Sequence, residues 1–158
     1  MYSLTQWAHV VAAAAYFAST AALALALLPI AARQTDLAAQ RRLLARWLRG
    51  YNVVSIGALG VSVVSGGSAV TDLKAALGLQ FTRVMWPLAW KLVLSFLLIN
   101  LATYLSFGLA HRIVRAEMGQ LPIEAEKQAG MIRRMRGTAW IALALAAYTA
   151  WVGVALAR

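Results

Sequence analysis

The chain has 158 residues, 62% of them hydrophobic and only 13% charged, with a mean hydropathy of +0.70. Soluble globules carry about 25% charged residues, so that class is excluded, and the length suits a single small domain. The net charge is +10. Its cations gather at the ends of apolar runs, which makes the membrane surface the expected partner and excludes nucleic acid. With no cysteine in the sequence, there is no disulfide, thiolate metal site or cysteine nucleophile.

Residues 4–32 form the first apolar run. No Lys or Arg precedes it, so it lacks the basic leader of a secretory signal and reads as the first transmembrane helix, bent or ended near Pro29. His9, Ala13, Tyr16 and Thr20 follow i, i+4, i+7, i+11 spacing and share one face, a candidate inner wall of a bundle. His9 is either a hydrogen-bonded packing residue or a ligand; the rarity of ionisable residues in membrane segments keeps the second reading open.

Residues 33–50 break the apolar pattern. Leu37, Leu43, Leu44, Trp47 and Leu48 fall on one helical arc, and Arg42, Arg46 and Arg49 on the opposite one. This predicts a short amphipathic helix lying in the interface, its arginines toward anionic headgroups; a solvated basic loop is the alternative. The second span, 51–71, is rich in small residues, among them Ser55, Gly57, Gly60, Ser62, Ser65, Gly66 and Gly67, which permit close helix packing. Gly66-Gly67 alternatively marks a kink or helix end, or leaves room for a flat cofactor. It is not a phosphate loop, because no Lys-Ser/Thr follows it.

After a helical-looking connector at 72–85 comes the third span, 86–113. Between Leu88 and Ala110 its only charged residue is Lys91. A charge at such depth costs roughly 2.5–3.5 kcal/mol on insertion scales. Lys91 therefore either snorkels to the headgroups or meets a partner within the bundle. The segment 113–136 extends this helix, breaks around 119–122 and restarts from Ile123. The fourth span, 137–157, carries Trp140, Tyr148 and Trp151.

Eleven Lys and Arg lie in the first and third connections, against three in the second connection and at the C-terminus. The positive-inside rule then places both basic connections inside and both termini outside. His9 and Lys91 each fall on the order of 8 Å below their helix starts, at one depth in one leaflet. His111 lies about 30 Å of helix from Lys91, so the two histidines cannot ligate one haem, and His111 reads as interfacial.

The order of motifs is WAHVVAAAAYFASTAALALALLPIAAR, then RRLLARWLRGYNVVSIGALGVSVVSGG, then AWKLVLSFLLINLATYLSFGLAHR. It resembles the membrane domain of the CopD copper-resistance family and, more distantly, the HemJ four-helix proteins, which oxidise protoporphyrinogen and bind haem b. The resemblance covers roughly residues 4–115. It implies a fourth helix and draws attention to a His in the first helix and a Lys in the third, here His9 and Lys91. The tryptophan–glycine–aromatic–proline–arginine pattern of the HemJ first helix is absent.

The expected fold is an all-α integral membrane protein of the bacterial inner membrane. It is a single domain, 1–158, forming a four-transmembrane-helix bundle with a short amphipathic interfacial helix. No enzyme constellation stands out: Asp36, Asp72, Glu117, Glu124 and Glu126 all fall in expected loops, and no Ser-His-Asp set is present. Three functions are expected. The first is copper handling through an outer-leaflet site, with His9, Met85 and Met1 as imidazole and thioether donors. The second is a haem-b redox protein or a HemJ-like protoporphyrinogen oxidase, with His9 as an axial ligand, Lys91 on a propionate or carboxylate, and Tyr16 and Ser95 on the facing stripes. The third is a non-catalytic accessory subunit, packing against other membrane subunits or a second copy.

Overall fold

The structure, a computed structural model, describes residues 4–156 and is helical throughout, with no strand among the described residues. Helix α1 (Leu4–Ala22) passes through a π-helical segment, Leu23–Leu27, into α2 (Leu28–Ala32). Pro29 explains the π segment. Proline offers no N–H, and its ring presses on the carbonyl four residues back. Widening the ladder relieves that contact: the Leu28 N–H bonds Leu23 O, five residues back. The first run is thus continued past Pro29 and not ended by it.

Asp36 caps the next helix, its carboxylate accepting from the Ala38 and Ala39 N–H groups at 2.9 and 3.3 Å. Helix α3 then runs unbroken over Leu37–Leu77. This corrects the expectation of a separate interfacial helix at 33–50. Leu44 and Leu48 are fully buried and Ala45 nearly so, packed against Leu28, Ile113 and Met135, so the segment is the first part of a bundle helix. A flat helix at the interface buries its apolar face in lipid; here that face is spent on the core. Arg42, Arg46 and Arg49 point outward, as their arc requires. Asp72 likewise lies on α3 and not in a loop, and Gly66-Gly67 neither kink nor end the helix.

At Gly78 the backbone takes a φ of +50°, a conformation that glycine alone adopts without strain. A 3₁₀ turn, Gly78–Gln80, leads into α4 (Phe81–Thr103), a second π segment (Tyr104–Ala110) and α5 (His111–Glu117). The Arg41 guanidinium meets the Glu117 carboxylate at 3.1 Å, with Arg42 at 3.6 Å. A straight helix would separate those ends by about 110 Å, so the run folds back on itself at Gly78. After a second reversal, with Gly119 at φ +72°, α6 (Ala125–Leu156) completes the bundle.

Three helical runs are long and apolar enough to cross a membrane: Leu4–Ala32, Leu37–Glu117 and Ala125–Val154. The bundle's outward faces carry Val53, Val64, Leu92, Phe96, Ile141 and Trp151, each more than half exposed. Contiguous apolar surface on this scale belongs against lipid.

At the basic end, buried amides tie three helix termini together. Gln40 donates to Ala31 O at 2.9 Å, and Gln128 donates to Gln40 Oε1 at 2.9 Å and to Leu37 O at 3.1 Å. Each amide is at least nine-tenths buried, so removing one leaves the other unpartnered away from water. Gln128→Leu is expected to destabilise the detergent-solubilised protein by about 1–3 kcal/mol. Gln40→Leu added to it should cost less than the two single losses combined, as read from denaturant midpoints.

Candidate ligand site at the His9 end

Antiparallel packing of α1 on α3 brings the start of one helix against the end of the other. His9 lies on that seam, half-buried. Its Nδ1 is 3.1 Å from Ser62 O and 3.2 Å from Ser65 Oγ. The Ser65 hydroxyl already donates to Val61 O, 2.6 Å away, so toward His9 its oxygen accepts. A carbonyl also only accepts. Between two acceptors, Nδ1 of the neutral ring carries the proton, and Nε2 keeps its lone pair. Nε2 makes no hydrogen bond among the described residues.

Gly66 seats the ring. A Cβ on Gly66 would lie 3.3 Å from His9 Cε1 and 3.5 Å from Nδ1. The ring it makes room for is the protein's own, so the contact fits the close-packing reading of this glycine and not the flat-cofactor one. Ser62, Ser65 and Gly66 act together because they sit within one turn of α3.

Lys91 enters from α4 and lies against α6, where a Cβ on Gly153 would stand 3.0 Å from its Nζ. The side chain is half-buried, and its charge acts on the His9 ring. Its ammonium thus lies near the C-terminal end of α6. No carboxylate pairs with it among the described residues. Four helices converge here: α1 brings the imidazole, α3 its acceptors, α4 the ammonium and α6 the glycine that makes room for it. The family models, curated proteins and solved structures compared with this chain give no match.

The other sequence candidates fall elsewhere. Tyr16 is 2% exposed and lies about 10 Å further along α1, packed among Ala58, Leu98, Ala102 and Ala142. Its hydroxyl, like those of Thr20 and Tyr51, is buried with no hydrogen-bond partner among the described residues. These hydroxyls make a buried polar layer in mid-bundle, separate from His9. Ala13 is exposed, and Ala12 takes its place on the inner face. Ser95 donates to Lys91 O at 2.9 Å, within its own helix. Met85 is 55% exposed near the start of α4. Met1 lies outside the described residues. His111 is exposed at the opposite, basic end. No group of three or more His, Cys, Asp or Glu side chains gathers to hold a metal among the described residues.

A bulky side chain at position 66 has to push the imidazole off Ser62. Gly66→Leu in a His111→Gln chain is therefore expected to raise the rate at which diethylpyrocarbonate modifies His9. Gly60→Leu, where nothing lies within 4 Å of the added Cβ, should leave the rate unchanged.

Proposed function

We propose that this chain is a four-crossing integral membrane protein of the bacterial inner membrane that binds haem b at its His9 end and acts in electron transfer. In this reading the 81-residue run Leu37–Glu117 crosses twice, with its reversal at Gly78 outside. A single crossing needs about 20 residues, so the length is ample for two. The two basic connections face the cytoplasm, and the termini the periplasm. Arg42, Arg46 and Arg49 then lie at the level of anionic headgroups.

One observation carries the haem reading: His9 donates its Nδ1–H to a backbone carbonyl while Nε2 is left free. Metal-ligating histidines are held in this way, since the outer hydrogen bond sets the tautomer and the ring orientation. Lys91 supports haem over copper in this reading. An ammonium beside the imidazole opposes a copper ion by like-charge repulsion and favours a group that brings carboxylates. Haem b brings two propionates. Its iron supplies the one-electron chemistry; His9 would hold that iron and Lys91 a propionate.

Copper handling in the manner of the CopD family is the second reading. It draws on Met85, an exposed thioether at the same end of α4 as Lys91. The donor set for it is thin: one imidazole and one thioether beside a cation.

Absorption spectra of the purified protein test the choice. A Soret band that shifts on reduction is expected, lost in His9→Ala and retained with roughly tenfold weaker haem affinity in Ser65→Ala. Stoichiometric copper without a Soret band, even after added haemin, would reverse the ranking. Topology is checked separately in a chain that has no native cysteine. Leu79→Cys is expected to react with an impermeant maleimide on intact cells, while Arg42→Cys and Lys127→Cys remain protected.

A further inference from the structure

The basic end of the bundle holds a groove that the His9 site leaves unused. It runs between the second π segment with α5 on one side and the start of α6 on the other. Two adjoining hollows of about 600 and 320 Å³ make it up, and Arg112, Lys127 and Met131 line both. We propose that this groove binds the phosphate headgroup of an anionic phospholipid, with an acyl chain along its apolar wall.

The charges come first. Arg133 and Arg134 join Arg112 and Lys127 around the larger hollow, and Arg115 joins them at the smaller. Glu124 and Glu126 also line the larger hollow, so cations still outnumber carboxylates there by four to two. None of these five cations has an ion-pair partner among the described residues; the carboxylate of Glu117 is taken by Arg41 and Arg42. Guanidinium groups in excess over carboxylates suit a phosphate, which they grip bidentately.

The walls distinguish a lipid from a free phosphate. Tyr104 and Leu109 line the larger hollow, and Phe107 and Ile123 the smaller. Tyr104 and Phe107 are 44% and 57% exposed on the outward face of the bundle, about two turns and about one turn from Arg112 along the helix. The groove is therefore apolar toward the lipid-facing flank and basic at its mouth, which matches a headgroup joined to an acyl chain. Basic pockets between helices on the cytoplasmic side are where such headgroups bind. Gly130 keeps the groove open, for nothing lies within 4 Å of the place its Cβ would occupy.

The proposal rests on the membrane reading, and the test separates the two. The full chain is first reconstituted into phosphatidylcholine vesicles; failure to insert contradicts the membrane reading itself. Thermal unfolding in neutral detergent is then followed with added phosphatidylglycerol, phosphatidylcholine or inorganic phosphate. Phosphatidylglycerol is expected to raise the midpoint, and phosphatidylcholine is not. Two variants, at exposed Arg112 and Lys127 and at half-buried Gly130, probe the groove differently. Arg112→Gln with Lys127→Gln removes charge, and Gly130→Leu fills the space while leaving every charge and favouring the helix. Each should weaken the phosphatidylglycerol response by about tenfold in concentration or more. Lys74→Gln, exposed at the opposite end of the bundle and outside the groove, should not change it. A Gly130→Leu protein that responds like the parent overturns the site and reduces it to diffuse surface charge. An equal rise with inorganic phosphate overturns the lipid assignment.

Discussion

The reversal at Gly78 decides which helices can meet. It turns an apolar run of 81 residues into two antiparallel arms, and the arms place the ends of the chain's polar stripes beside one another. The end of α3 comes level with the start of α4 and with the start of α1. Ser62 and Ser65 thereby reach His9, and Lys91 enters the same layer from across the bundle. At the far end the same reversal lets Arg41 and Arg42 close on Glu117. In hydrocarbon a polar side chain has no water to fall back on, so each of these groups needs a protein partner or a ligand. Gln40 and Gln128 find each other; the His9 ring finds two acceptors; Lys91 pairs with no carboxylate among the described residues.

The layers between these ends follow from side-chain size. Tyr16 is surrounded by alanines from three helices, Ala58, Ala102, Ala142 and Ala146, so a large ring fits where the backbones are close. Below it the core changes to Leu23, Leu27, Leu48, Leu105 and Met135, which seal the basic end from the polar layers above. The two π segments, Leu23–Leu27 and Tyr104–Ala110, fall in this sealed zone on helices from opposite sides. Proline accounts for the first. In the second, the bare Gly108 lets the Tyr104 ring lie where a Cβ would come within 2.9 Å of it.

Much of this was legible in the residues. Apolar runs marked the long helices, and Gly119 and Pro122 marked the break before α6; the start of α4 at Phe81 was not marked, and it sets Lys91 about 15 Å along its helix instead of the expected ~8 Å. What periodicity missed was what depends on partners. Leu44 and Leu48 show the same arc whether they face lipid or a neighbouring helix, so an arginine-rich helix was read as interfacial although it is the root of α3. Gln40 and Gln128 are 88 positions apart, and no local pattern announces that each satisfies the other. Gly66 had three readings in the sequence, and only the ring opposite it selects one. Ala13 lost its place on the inner face to Ala12, a difference that a run of alanines cannot signal.

The functional account stands on the state of one imidazole. If α3 holds His9 by its Nδ1–H, the bundle presents a preset Nε2 lone pair to whatever enters beside Lys91, and a haem iron or a copper ion is bound without first reorienting the ring. Nitrogen-15 NMR of histidine-labelled protein, carrying His111→Gln so that one ring remains, measures this directly. The account predicts a neutral ring protonated at Nδ1, with its resonance moved by Ser65→Ala. A ring protonated at Nε2, or one indifferent to Ser65, would contradict it.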